Sequence, residues 1–248
     1  MNTESHVDPL IAFVHVPKAG GMSLTRLLAE TYGERLLHAN PEIGWPPAFS
    51  DTILADIGNK RFFYRAFVGH FAYGIHRLFD RPTRYFSMVR EPLERLESYY
   101  NFVKRWEIHR HYQKAQVLDI DSFFQYLIDT KDIEISNLQC LMIAGDEDPD
   151  LALKRAEEDF DLVIPLPRVN DGISLLCDQL GIAHRQMPEE NTTAHVSKMN
   201  SLRKSVYDKI VELNRGDALL YGQVSEKFGA LVEPRSILAN SGRLSTGS

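Results

Sequence analysis

Phe13-Val14-His15-Val16-Pro17-Lys18-Ala19-Gly20-Gly21-Met22-Ser23 reads as a buried strand running into a glycine turn that carries a lysine and a hydroxyl. Ile11 to Val14 is an apolar run of strand length, and Ser23-Leu24-Thr25-Arg26-Leu27-Leu28 opens a helix whose leucines share one face. Gly20 and Gly21 take backbone angles that other residues resist, and without Cβ atoms they let a ligand approach the main chain. The N–H groups at the helix start and the positive end of its dipole would then point at an anion. This is the layout of a phosphate-binding loop, with Lys18 adding a full charge and Ser23 and Thr25 adding hydroxyls.

The nucleoside-triphosphatase pattern places its lysine after the last glycine, next to the hydroxyl residue, whereas here the lysine comes first. The residues alone also suit an ordinary strand-turn-helix junction. A second segment, Arg84 to Tyr100, again runs from strand to helix. Tyr85 to Val89 has strand composition, Pro92 stands where a helix begins, and Leu93, Leu96 and Tyr100 share a helical face. Arg90 falls at the carboxyl end of that strand, and Ser98 lies two turns along the helix.

The string HVPKAGGMS resembles the 5′-phosphosulfate loop of the sulfotransferases that use 3′-phosphoadenosine 5′-phosphosulfate (PAPS). VREPLERLESYYNF resembles their 3′-phosphate segment, most closely in the heparan-sulfate 2-O-sulfotransferase-like branch of the carbohydrate enzymes. The resemblance implies a cofactor site of Lys18, Ala19, Gly20, Gly21, Met22, Ser23, Arg90 and Ser98. It also implies a late basic loop over residues 191 to 199, where Lys198 would add a phosphate contact. It further implies sulfuryl transfer to a hydroxyl-bearing acceptor (glycan, lipid or small molecule), with Lys18 catalytic and no metal required. In the resembling branch the segment H-G-H supplies the base; Val68-Gly69-His70 keeps its second histidine, which makes His70 the leading base. His76 is the reserve, and His15 is expected to shape the loop. A histidine that merely closes the strand is the alternative for His70.

Composition bounds these readings. The 248 residues, 44% of them hydrophobic, are enough for one sizeable core. A net charge of −6 argues against a general nucleic-acid binder. Lys18, Arg26, Arg84, Arg90 and Arg95 are expected to cluster around the two anion loops. The start MNTESHVDPL lacks a secretory layout and no apolar run is long enough to span a bilayer, so the expectation is a cytoplasmic enzyme, or a Golgi-lumenal one if an anchor has been trimmed. Cys140 and Cys177 read as buried thiols. Asn191-Thr192-Thr193 matches a glycosylation acceptor that a cytosolic protein would not use.

Alternation along the chain predicts an α/β, P-loop-like three-layer fold, with a mainly parallel sheet between helices. Strands are expected at Ile11 to His15, Phe62 to Val68, Tyr85 to Val89 and Leu162 to Ile164. Helices are expected from Ser23, over Pro92 to Trp106, Asp121 to Thr130, Ser136 to Ile143, Asp150 to Phe160, Gly172 to Leu180, Ser201 to Leu213 and Asp217 to Phe228. Residues 106 to 118, with His109 and His111, read as a solvated helix or a mobile lid. The organisation expected is a tail over 1–8, one domain over 9–232, and a disordered tail over 233–248. A nucleotide-dependent kinase and a non-catalytic nucleotide-binding protein are the other readings.

Overall fold

A computed structural model of the chain describes residues 8–39, 49–184 and 198–241, with side chains as far as 232. Leu10–Val14 forms β1, buried along its whole length, and α1 follows over Met22–Tyr32. Next come β2 (Leu36–His38), α2 (Asp51–Lys60), β3 (Ala66–Gly69), α3 (His76–Phe79) and β4 (Thr83–Val89). The chain continues through α4 (Pro92–Val103), α5 (Tyr112–Val117), α6 (Ile120–Asp129), α7 (Leu138–Ala144) and α8 (Pro149–Glu158). It ends with β5 (Phe160–Pro165), α9 (Val169–Leu180), α10 (Lys204–Leu213) and α11 (Arg215–Ser241).

The five strands lie in the order β2-β3-β1-β4-β5, every neighbouring pair parallel. Because helices flank a parallel sheet, its central strands read as continuous apolar runs rather than alternating ones. At the carboxyl edge Val14 stands between Gly69 and Ser87, and the Ser87 hydroxyl donates to the Val14 carbonyl at 2.8 Å. The chain leaves β1 toward β2 and leaves β4 toward β5. The gap between the loops after β1 and β4 is therefore the switch point at which open α/β sheets bind ligands.

Two apolar cores support this edge. One surrounds the sheet, and the other joins Leu96, Tyr99 and Tyr100 of α4 to Phe123 and Phe124 of α6, Met199, and Val206 and Ile210 of α10. Helix α4 begins at Pro92, where the Glu91 carboxylate accepts the Glu94 N–H at 2.7 Å and so caps the first turn.

The expected strand from Phe62 is shorter than its composition implies. Residues 61–63 turn, leaving Phe62 and Phe63 54% and 44% exposed, and pairing starts at Ala66. Residues 106 to 118 are not a solvated helix. Only Tyr112–Val117 is α-helical there, and the preceding His111 is buried with Nε2 2.7 Å from the Asp132 carboxylate. The tail expected from 233 is helical as far as Ser241, and 242–248 lie outside the described residues. Cys140 and Cys177 are both free and buried. Among the described residues no helix is long and apolar enough to cross a membrane.

Candidate active site

The loop after β1 is shaped by residues that cannot be exchanged freely. Lys18 holds a left-handed backbone at φ 64° and Gly20 sits at φ 87°. A Cβ on Gly20 would lie 2.3 Å from the tip of Leu166. One on Gly21 would lie 2.5 and 2.7 Å from the His15 ring and 2.9 Å from Phe13. Gly21 is the N-cap of α1, without a side-chain cap or an acidic residue in the first turn, so no carboxylate of the helix itself neutralises its leading amides. Met22 is exposed and Ser23 half-buried at this end. The Ala19 side chain is fully buried and its N–H donates to the Val16 carbonyl at 3.3 Å, inside the loop.

His15 forms the floor beneath the glycines. Its ring stacks on Phe13 at 5.4 Å, and its Nδ1 lies 3.5 Å from the Thr25 hydroxyl, which donates to the Gly21 carbonyl at 2.9 Å. Burial, reinforced by the charges of His70, His38 and Lys18, pulls its pKa down to about 3 and keeps the imidazole neutral.

Arg90 reaches this loop from the end of β4. Its Nη1 donates to the Lys18 carbonyl at 3.4 Å and its Nε to the Glu94 carboxylate at 3.3 Å. The Lys18 ammonium lies 4.2 Å from the centroid of the Phe102 ring. Glu94, Ser98 and Phe102 follow one another at four-residue spacing, so the half-buried Ser98 falls on the α4 face that meets the loop. The basic cluster is smaller than expected. Arg26 pairs with Glu30, Arg84 with Asp161 and the fully buried Arg95 with Glu134, leaving Lys18 and Arg90 at the loop.

His70 follows β3 at the same edge of the sheet. Its Nδ1–H donates to the His15 carbonyl at 2.6 Å, which makes Nε2 the basic nitrogen, and the two rings stand 4.7 Å apart. Burial lowers its pKa, with His38 and Lys18 adding to the effect and the His15 carbonyl and Glu134 opposing it. The neutral, proton-accepting form is therefore the one present near pH 7. His38, at the end of β2 and paired with Val68, is a neighbour that no motif marks. His76 sits elsewhere, with Nδ1 2.8 Å from the hydroxyl of Tyr85 in the amino-terminal half of β4.

Lys198 is exposed, and its backbone N–H donates to the Glu97 carboxylate at 3.0 Å, which docks this residue on α4. The rest of the expected late loop, residues 191–197, lies outside the described residues. Sequence reasoning also missed Gln139 and Asp217. Gln139 binds the main chain of Arg90, and the Asp217 carboxylate accepts the N–H groups of Gln139 and Cys140 at 3.1 and 2.8 Å. The signal for Asp217 is a lone acid before the apolar run Ala218-Leu219-Leu220. Among the described residues no group of three or more His, Cys, Asp or Glu is placed to hold a metal ion.

Comparison with known proteins bears on this arrangement. A family model described as "Sulfotransferase family" matches residues 6–222. Among solved structures, the crystal structure of a sulfotransferase from Alicyclobacillus acidocaldarius is similar at 14% identity with a TM-score of 0.47, covering 86% of this chain and 96% of that one. None of the curated proteins matches.

Proposed function

The chain belongs to the sulfotransferase family, and from that premise we propose that it moves the sulfuryl group of PAPS to an acceptor hydroxyl, releasing adenosine 3′,5′-bisphosphate. The observation that carries the proposal is the contact between Arg90 and the Lys18 carbonyl, which makes one surface of the two anion segments. A doubly phosphorylated nucleotide needs two such sites at a fixed separation. Lys18 and the first amides of α1 suit the 5′-phosphosulfate; Arg90, with Ser98 two turns along α4 and Lys198 docked on Glu97 of the same helix, suits the 3′-phosphate.

In the reaction the acceptor oxygen forms a bond to sulfur as the bond from sulfur to the 5′-phosphate oxygen breaks. Charge grows on the departing phosphate, where Lys18 and the α1 amides stabilise it. The acceptor proton passes to His70 Nε2, whose tautomer is set by the His15 carbonyl. Holding the 3′-phosphate fixes the reacting end of the same molecule, so Arg90 and Ser98 serve orientation. The closeness of VREPLERLESYYNF to the heparan-sulfate 2-O-like form supports a carbohydrate hydroxyl as acceptor.

The test is ligand discrimination followed by turnover. PAPS and adenosine 3′,5′-bisphosphate should raise the melting temperature where ATP with Mg²⁺ does not, and labelled PAPS should mark a product in a screen of glycan acceptors. Stabilisation by ATP with Mg²⁺ alone would mean a kinase-like nucleotide site instead.

A further inference from the structure

Arg90 stands where β4 has ended and α4 has not begun, so its own N–H and carbonyl have no regular partner in either element. Both are taken by a single side chain. Gln139, fully buried, accepts the Arg90 N–H on Oε1 at 2.8 Å and donates from Nε2 to the Arg90 carbonyl at 2.8 Å. The amide thus imitates the edge of a further strand at the first residue after β4.

Gln139 is itself held from behind. It lies in the first turn of α7, where the buried carboxylate of Asp217 accepts the N–H groups of Gln139 and Cys140. The Asp217 N–H in turn donates to the Asn137 side chain at 3.1 Å. A chain of hydrogen bonds, buried at Asp217, therefore runs from α11 through α7 to the main chain of Arg90, ending a few bonds from its guanidinium. The guanidinium tip is held less tightly, at 3.4 Å from the Lys18 carbonyl and 3.3 Å from Glu94. The direction in which Arg90 leaves the main chain is thus set from its base.

We propose that Gln139 is a positioning residue whose paired hydrogen bonds to the Arg90 main chain set the protein's selectivity for 3′-phosphorylated nucleotides. The inference rests on the reading of Arg90 as the 3′-phosphate ligand. Misplacing a ligand-positioning group by about 1 Å is enough to cost on the order of 10²-fold, so loss of both bonds should be felt mainly by the phosphate that Arg90 meets.

The experiment is calorimetric titration of the full chain with adenosine 3′,5′-bisphosphate and with adenosine 5′-monophosphate. Wild type, Gln139→Met, Arg90→Ala and the double variant are compared, and thermal melting confirms folding. Wild type should prefer the bisphosphate. Gln139→Met should lose about tenfold or more in affinity for it while staying within about twofold for the monophosphate, and the double variant should bind no more weakly than Arg90→Ala. Should Gln139→Met not fold, Gln139→Glu carries the same comparison, because it keeps chain length and the acceptor for the Arg90 N–H while losing the donor. Equal losses for both nucleotides, or a full additive loss in the double variant, would overturn the positioning role. A wild-type protein without preference for the bisphosphate would instead overturn the functional reading beneath it.

Discussion

Arg90 Nη1 lies 3.4 Å from the carbonyl oxygen of Lys18, a hydrogen bond between residues 72 apart in the chain. The contact follows from topology. Strands β1 and β4 are neighbours, but the chain leaves them in opposite directions, so the segments that follow them face each other across an open crevice. Each segment brings a cation, and each cation has a compensating partner within the protein. Here Glu94 balances Arg90, and the π face of Phe102 receives Lys18.

The backbone of Lys18 separates its function from its contribution to stability. A non-glycine residue at φ 64° costs about 1–2 kcal/mol, whereas the Phe102 contact returns about 0.5–1 kcal/mol. Lys18→Gly should therefore fold with equal or slightly greater stability, while Lys18→Ala keeps the strained backbone. Both should slow sulfuryl transfer by about 10²–10³-fold, the cost of removing one donor from developing charge. Thermal unfolding together with single-turnover transfer checks this, and near-normal transfer in folded Lys18→Gly would remove the lysine from the mechanism.

Gly21 differs from Lys18 because its restriction is steric rather than conformational. Its φ of −68° suits any residue, but a Cβ would meet the rings of His15 and Phe13 within 2.5 to 2.9 Å. Rings in a packed floor cannot step aside as a flexible tip can. Gly21→Ala should lose about 1–3 kcal/mol of stability and most of its affinity for PAPS. Adding His15→Ala should restore part of the stability, so a double-mutant cycle by urea unfolding should show strong coupling; simple additivity would mean that the loop yields some other way.

The parts of this site visible in the sequence are those written over short distances. The run into Gly20 and Gly21, and the junction at Arg90 and Pro92, combine strand composition, punctuation and helical period within about a dozen residues. What stayed hidden depends on partners far apart in sequence. Gln139 meets Arg90 across 49 residues, Asp217 meets Gln139 across 78 and Lys198 meets Glu97 across 101, and no local pattern marks them. Part of the basic cluster was overcounted for the same reason, since the carboxylates that take Arg84 and Arg95 lie 77 and 39 residues away, whereas Arg26 meets Glu30 within its own helix. Phe62 and Phe63 misled because aromatic composition speaks for a half-buried surface, and here it forms an exposed turn.

Burial of His15 predicts a pH dependence of stability. Its folded pKa is about 3 against 6.5 for the ordinary imidazole, so between those values the unfolded chain binds a proton that the native state refuses. Stability should fall as pH drops from about 6.5 toward 3, with the contribution exhausted below that range. His15→Gln should flatten that slope without abolishing it, because His70 is also depressed. Urea midpoints at pH 7.5 and 5 measure the difference, and an unchanged slope in His15→Gln would show that the acid sensitivity comes from other groups.

His70 offers the sharpest separation between a structural and a chemical role. Its Nδ1–H ties the end of β3 to the loop after β1, and this bond alone could justify a histidine. The same bond leaves Nε2 as the proton acceptor, in a ring that burial keeps neutral near pH 7. If the role is chemical, His70→Ala should bind PAPS with little change, since Lys18, Arg90 and the α1 amides do not use the imidazole. Transfer should then slow by about 10²–10⁴-fold, the range for a positioned general base. The pH profile gives a second readout with a definite sign. With its pKa below 6.5, His70 becomes a base only above that lowered value, so wild-type kcat/KM should rise through an inflection below pH 6.5 and then level. In His70→Ala that acidic limb should vanish. His70→Asn, which can still donate to the His15 carbonyl, should recover the melting temperature but not the rate. Recovery of the rate along with the fold would reduce His70 to a strand-closing residue and leave the acceptor proton to another group.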